Sequence, residues 1–151
     1  PMLVKEIMTT AVRAASPEDP VREVAATMCF HKFSGLPVVD AAGKIVGVIS
    51  EKDILHGMFP KFEDLVTSSG LVDFEALEHE YQNMVNLKVG DLMSQRIITV
   101  EPEMPVLKAA SIMFRNRIRR IPVQQDGRLV GIISIGDVHK AIFRQNLTKI
   151  A

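Results

Sequence analysis

Gly47-Val48-Ile49-Ser50-Glu51-Lys52-Asp53 returns 84 residues later as Gly131-Ile132-Ile133-Ser134-Ile135-Gly136-Asp137. Upstream of each copy stands an h-P-V element (h, apolar), Leu36-Pro37-Val38 and Ile121-Pro122-Val123. Extending the match outward pairs Val4 to Asp40 with Val89 to Gln125, and then, after the unpaired Ala41, Ala42 to Ile54 with Asp126 to Val138. Sixteen of the fifty paired positions are identical, among them Met8 and Met93, Pro17 and Pro102, Pro20 and Pro105, and Gly47 and Gly131. Matches of this kind fall at turns, helix starts and strand ends, so the chain is an internal duplication and its fold is to be read twice.

Each copy reads in one order. An extended piece (Val12 to Ala15; Ile97 to Val100) leads to Pro20 or Pro105 at a helix start, where the missing N–H costs nothing. Val21, Val24, Ala25 and Met28, matched by Val106, Ala109, Ala110 and Met113, have the spacing of one buried helix face. Two strands follow, Leu36 to Val39 with Ile45 to Ile49 and Ile121 to Gln124 with Leu129 to Ile133. Their turns are Asp40-Ala41-Ala42-Gly43 and Gln125-Asp126-Gly127. A second helix starts at Ser50 or Ser134. The fold class expected is α/β (α+β), with two β-α-β-β-α repeats at 1–56 and 88–151 and an acidic helical insert at 57–87. One repeat has too little core to stand alone, so the two are expected to pack together. Within the insert, Phe59 to Asn86 is expected to be helical, broken at Pro60 and Ser68-Ser69-Gly70, with Phe74, Leu77, Tyr81 and Val85 on one stripe.

The chain has 151 residues, 47% of them hydrophobic, with 18 basic and 18 acidic side chains. Neutrality is a cancellation. Residues 1–56 hold 6 basic and 7 acidic side chains, 57–87 hold 1 and 6, and 88–151 hold 11 and 5. The hydrophobic content excludes a disordered chain, and no apolar run is long enough for a membrane span. A single cysteine, Cys29, excludes an internal disulfide. With no signal peptide or polybasic segment read at the N-terminus, a cytoplasmic location is expected.

The paired h-P-V and G-h-I-S-x-x-D elements, each after a Met-containing opening and a P-x-x-P helix start, resemble a tandem cystathionine β-synthase (CBS) domain pair, or Bateman module. The resemblance covers nearly the whole chain except the insert and the last dozen residues. It implies two sheets related by a pseudo-twofold axis and clefts between the repeats for an adenosine-containing ligand: AMP, ADP, ATP or S-adenosylmethionine. It further implies that Asp53 and Asp137 hold a ribose diol, that Ser50 and Ser134 mark phosphate-attracting helix N-termini, and that Val12 and Ile97, with Pro37 and Pro122, face the adenine. A carboxylate suits two adjacent hydroxyls, each charge-assisted bond being worth ~1.5 to 3 kcal/mol. The same Ser-x-x-Asp is also close to a capping box, in which the acid satisfies a backbone donor and holds no ligand.

The copies differ where a phosphate would sit. Arg115-Asn116-Arg117-Ile118-Arg119-Arg120 stands against Phe30-His31-Lys32-Phe33-Ser34-Gly35, and Arg119 or Arg120 is expected to contact phosphate. The alternative is a solvated helix end or an ion pair with the acidic insert. Catalysis is not expected: nucleotide-binding glycine motifs, H-E-x-x-H and G-x-S-x-G are absent, and no base, nucleophile and orienting group come together. His31, His56, His79 and His139 are dispersed and Cys29-x-His31 is poor ligand spacing, so no metal site is expected. The functional expectation is a regulatory, non-enzymatic ligand sensor acting on a separate effector protein. A homodimer is expected through Leu55, Met58, Val138, Ile142 and Phe143. The alternative is an interaction module without a nucleotide. Nucleic-acid binding through the arginines is the weakest reading, since only Phe114 lies among them to stack on bases.

Overall fold

The computed structural model describes residues 1–57, 70–71 and 73–150. In chain order it contains a 3₁₀ turn at Val4–Glu6, α1 (Val21–His31), β1 (Gly35–Val39), β2 (Ile45–Ser50), α2 (Glu51–His56), α3 (Phe74–Met84), α4 (Val89–Leu92), α5 (Val106–Arg115), β3 (Arg120–Gln125), β4 (Arg128–Ser134) and α6 (Ile135–Ile150). The helix-strand-strand-helix order therefore occurs twice, and every strand end lies within one residue of its expected position. Pro20 and Pro105 are the N-cap residues of α1 and α5. The helix faces also agree with their spacing: Val21, Val24 and Met28, and Val106, Ala109, Ala110 and Met113, are buried.

The described chain forms two compact units that do not follow sequence order. One comprises Pro1–Val12, Ala42–Ile45 and Ile98–Ala151; the other comprises Arg13–Ala41 and Val46–Ile97. Each repeat's opening segment thus packs in the unit built mainly from the other repeat. In the first unit Val4 N donates to Met104 O at 2.8 Å, Lys5 N to Pro102 O at 2.9 Å, and Val106 N to Met2 O at 2.9 Å. In the second unit the matched bonds are Val89 N to Asp19 O at 2.8 Å, Gly90 N to Pro17 O at 2.9 Å, and Val21 N to Leu87 O at 2.8 Å. Val4 and Val89 are fully buried, and burying one such side chain contributes ~1.5 kcal/mol or more. Exposed ion pairs accompany both joints, Lys5 with Glu103 at 2.8 Å and Lys88 with Glu18 at 2.9 Å. The hydrogen bond to the carboxylate, then its charge, raises the pKa of each lysine.

Close backbone approach explains two of the repeated glycines. Thr9 pairs with Ile132 of β4, and Ser94 pairs with Val48 of β2, so the opening segments run along the edge of each hairpin. A Cβ on Gly131 would lie 2.6 Å from Met8 Sδ and 3.0 Å from Thr9 O; on Gly47 it would lie 2.7 Å from Met93 Sδ and 2.9 Å from Ser94 O. Met8 and Met93 therefore recur because the glycines opposite them leave room.

The expected opening strands reduce to single bridging residues. Ala15 N donates to Pro37 O and Val39 N to Ala15 O, and Val100 and β3 repeat the arrangement through Pro122 O and Gln124 N. β3 and β4 are antiparallel, with Arg120 opposite Ser134 and Val123 opposite Gly131, then a bulge between Val123 and Gln124. Asp126 and Gly127 both have positive φ, 54° and 80°, as a two-residue type I′ turn requires.

Of the insert, α3 is helical and packs Leu77, Tyr81 and Met84 on the core of the second unit, with Val85 just after its end. The stripe differs at its start: Phe74 is 71% exposed, and Met84 is the buried residue in its stead. Phe74 is the first helical residue, a turn before the packed face begins. The expectations for Met58, Phe59, Pro60, Phe62 and Ser68-Ser69 fall outside the described residues. Two residues assigned to an outward face turn inward. Val138 is 4% exposed and Ile142 packs on the same core, because α6 must close the first unit with the face that carries them. Phe143 and Leu55 are exposed.

Gly131→Ala is expected to destabilise the protein by about 1–3 kcal/mol, since a backbone oxygen and a methionine would both have to yield. Gly136→Ala, whose Cβ would meet only Ser134 Oγ at 3.7 Å, is expected to be neutral or stabilising by about 0.5–1 kcal/mol. Urea denaturation of the two variants checks the contrast.

Candidate functional site

The last residue of each hairpin is the N-cap of the helix that follows. Ser134 N donates to Asp137 Oδ2 at 2.9 Å, and Asp137 N donates to Ser134 Oγ at 3.0 Å. In the other unit Ser50 N donates to Asp53 Oδ2 at 2.8 Å, Ser50 Oγ donates to the same oxygen at 3.1 Å, and Asp53 N donates to Ser50 Oγ at 3.2 Å. Both Ser-x-x-Asp motifs are thus reciprocal capping boxes. Only one carboxylate oxygen is used in each. Among the described residues, Oδ1 of Asp53 and of Asp137 accepts no hydrogen bond.

A cleft of about 650 Å³ opens in the first unit, lined by Met113, Phe114, Arg117, Ile118, Arg119, Arg120, Ser134, Ile135 and Gly136. Its size falls within the range that holds small organic ligands. Three features of the chain build it. Strand pairing sets Arg120 beside Ser134. Ile135 N donates to Arg119 O at 2.9 Å, which ties the start of α6 to the residue before β3. At the end of α5, Arg117 has φ 55° and Ile118 N reaches back to Met113 O at 3.0 Å. This left-handed turn is a helix stop usually given to glycine or asparagine.

The polar and apolar parts of the cleft are separate. Met113, Phe114, Ile118 and Ile135 supply an apolar wall, while three guanidinium groups and the start of a 16-residue helix supply positive potential. Within the first turn of α6, the N–H of Ile135 is held by Arg119 and that of Asp137 by Ser134. The Gly136 N–H is bonded by no described residue, and no Cβ stands over it. A helix N-terminus with an open donor and arginines nearby is a site for an anion.

The second unit repeats the frame with different side chains. Lys32 has φ 56°, Phe33 N donates to Met28 O at 3.1 Å, and Glu51 N donates to Ser34 O at 2.9 Å. The positions of Arg117, Arg119, Arg120 and Ile135 are held there by Lys32, Ser34, Gly35 and Glu51.

Of the residues nominated from the sequence, Arg119, Arg120 and Ser134 line the cleft together. Asp137 adjoins it through its bond to Ser134. Pro122 is buried on β3 and Val12 is half-buried, both in the first unit. Ser50, Asp53, Pro37 and Ile97 belong to the second unit. Sequence reasoning did not nominate Met113, Phe114, Arg117, Ile118, Ile135 or Gly136. The usable signal was Gly136, a side-chain-free position in the first turn after a capping serine. Among the described residues, no helix is long and apolar enough to cross a membrane. Ser134→Ala removes a cap and is expected to cost about 0.5–2 kcal/mol in urea denaturation.

The CBS domain family matches the chain twice, over residues 4–59 and 89–144. An uncharacterised protein of Methanocaldococcus jannaschii is 33% identical over 154 residues, spanning 93% of this chain and 91% of its own length. Among solved structures, CBSX2 of Arabidopsis thaliana, a CBS-pair protein crystallised in complex with AMP, matches with a TM-score of 0.74 at 26% identity over 97% of this chain and 99% of that one. The CBS domain pair of protein MJ0100, in complex with 5′-methylthioadenosine and S-adenosyl-L-methionine, matches with a TM-score of 0.67 at 26% identity over 95% of this chain and 98% of that one.

Proposed function

The chain belongs to the CBS domain family, and from that membership we propose that it is a regulatory module that binds an adenosine-containing ligand and acts on a separate effector protein. The observation that carries the reading is the cleft of residues 98–151, where Arg119, Arg120 and the open Gly136 N–H meet an apolar wall beside Asp137. Those groups match an anion, an aromatic base and a diol in turn. That similar CBS pairs hold AMP, or 5′-methylthioadenosine and S-adenosyl-L-methionine, supports the adenosine part.

Asp137 has two roles in this account. Its Oδ2 caps α6 and its Oδ1 accepts from the ribose hydroxyls. Asp53, with the same free oxygen, is the matched candidate in the second unit. Val12, Ile97, Pro37 and Pro122 remain candidates for the base. The module is non-enzymatic and cytoplasmic in this reading. Homodimerisation would use the exposed Leu55 and Phe143, since Val138 and Ile142 are committed to the core. The competing reading, a ligand-free interaction module, draws on the capping boxes, which explain both Ser-x-x-Asp motifs without a ligand.

Thermal shift separates the two. An adenosine ligand at a hundredfold excess over its dissociation constant is expected to stabilise the fold by ~2.7 kcal/mol and raise Tm by several degrees. Asp137→Asn, whose amide oxygen still caps Ser134 N–H, is expected to keep the unliganded Tm within a few degrees and to weaken binding about tenfold or more, the loss of one charge-assisted bond. Unchanged Tm with AMP, ATP and S-adenosylmethionine at millimolar concentration would favour the ligand-free module.

A further inference from the structure

The cleft of residues 98–151 holds more positive charge than one phosphate calls for. Arg117, Arg119 and Arg120 line it, and no carboxylate side chain is among the lining residues. The open Gly136 N–H at the start of α6 adds a donor from the positive end of the helix dipole. The three arginines reach the cleft from different places: Arg117 from the left-handed turn after α5, Arg119 from the residue before β3, and Arg120 from the start of β3 opposite Ser134. Such a spread suits a chain of phosphates better than a single group.

The second unit supplies an internal comparison. Its matched positions carry Lys32, Ser34 and Gly35, with Glu51 where Ile135 stands and Lys52 where Gly136 stands, so two cations and one carboxylate take the place of three arginines. The duplicated frame does not itself demand the arginines, which makes their concentration in one copy a property of this cleft.

Resting on the adenosine reading, we propose that this cleft selects nucleoside polyphosphates. Each phosphate beyond the first brings acceptor oxygens and negative charge within reach of guanidinium forks, which bind such oxygens in pairs. The order of affinity is then ATP, ADP, AMP, with S-adenosylmethionine weakest, because its sulfonium and ammonium groups face the same arginines. The discrimination is electrostatic at a solvent-open site, so salt reduces it.

Calorimetry on the full 151-residue chain tests this, with AMP, ADP, ATP and S-adenosylmethionine at low ionic strength in magnesium-free buffer containing EDTA. ATP is expected to bind at least about tenfold more tightly than AMP, with ADP between them. Arg119→Ala and Arg117→Gly are each expected to compress that ratio to about threefold or less. The Arg117→Gly variant removes a guanidinium at a φ of 55°, which glycine adopts freely, so folding does not confound it. Equal affinity for AMP and ATP, or a ratio unchanged in both variants, overturns polyphosphate selection and leaves the adenosine reading standing. Absence of binding by all four compounds overturns both.

Discussion

The constraint on which the rest of the structure depends is the close contact of each opening segment with a hairpin glycine. Met8 Sδ lies 2.6 Å from where a Cβ of Gly131 would be, and Met93 Sδ 2.7 Å from where a Cβ of Gly47 would be. Those contacts, with the backbone pairing of Thr9 to Ile132 and Ser94 to Val48, let the first residues of one repeat complete the unit formed mostly by the other. Each buried core depends on residues from both parts of the sequence: Val4 sits among Val100, Met113 and Ile133, and Val89 among Ala15, Met28 and Ile49. A Cβ added at either glycine would therefore press on a segment of the other repeat.

From that frame the site follows by short steps. A hairpin whose last residue is serine passes directly into a helix, and the aspartate three residues on closes the cap. The cap uses one carboxylate oxygen and one first-turn N–H, while the carbonyl of Arg119 takes another N–H. What the cap leaves over in the first unit is an oxygen and one open donor, beside an apolar cleft that Arg117, Arg119 and Arg120 also line. In the second unit the frame is intact, but its matched positions carry Lys32 and Lys52 against Glu51 in place of three arginines. Capping and ligand binding are therefore compatible uses of the same motif, with separate atoms serving each.

The sequence made much of this legible, for physical reasons that can be named. Helix faces were readable because Val21, Val24 and Met28 and their partners must point one way to be buried, and periodicity records that directly. Hairpins were readable from alternation and from turns such as Asp126-Gly127 that need positive φ. The exchange of opening segments was not readable, since local pattern carries no information about which half a segment docks on; the recurring Met8 and Met93, Gly47 and Gly131 were visible only as identities. Phe74 was misplaced because a stripe extrapolated to the first residue of a helix overshoots the packed face, and Val138 and Ile142 because an apolar face alone does not tell a core from an interface. Arg119 and Arg120 were found from charge asymmetry between the copies. Arg117 and Gly136 needed coordinates, since a left-handed turn and an uncapped N–H are facts of backbone geometry.

The central claim is that the cleft of residues 98–151 holds the anionic end of an adenosine ligand. A crystal structure of the chain grown with ATP tests it most directly. The account predicts phosphate oxygens within hydrogen-bonding distance of Arg119 or Arg120 and of the Gly136 N–H, with Asp137 Oδ1 on the ribose while Oδ2 still caps Ser134. Nucleotide bound elsewhere, or a cleft that stays empty at saturating ATP, would contradict it.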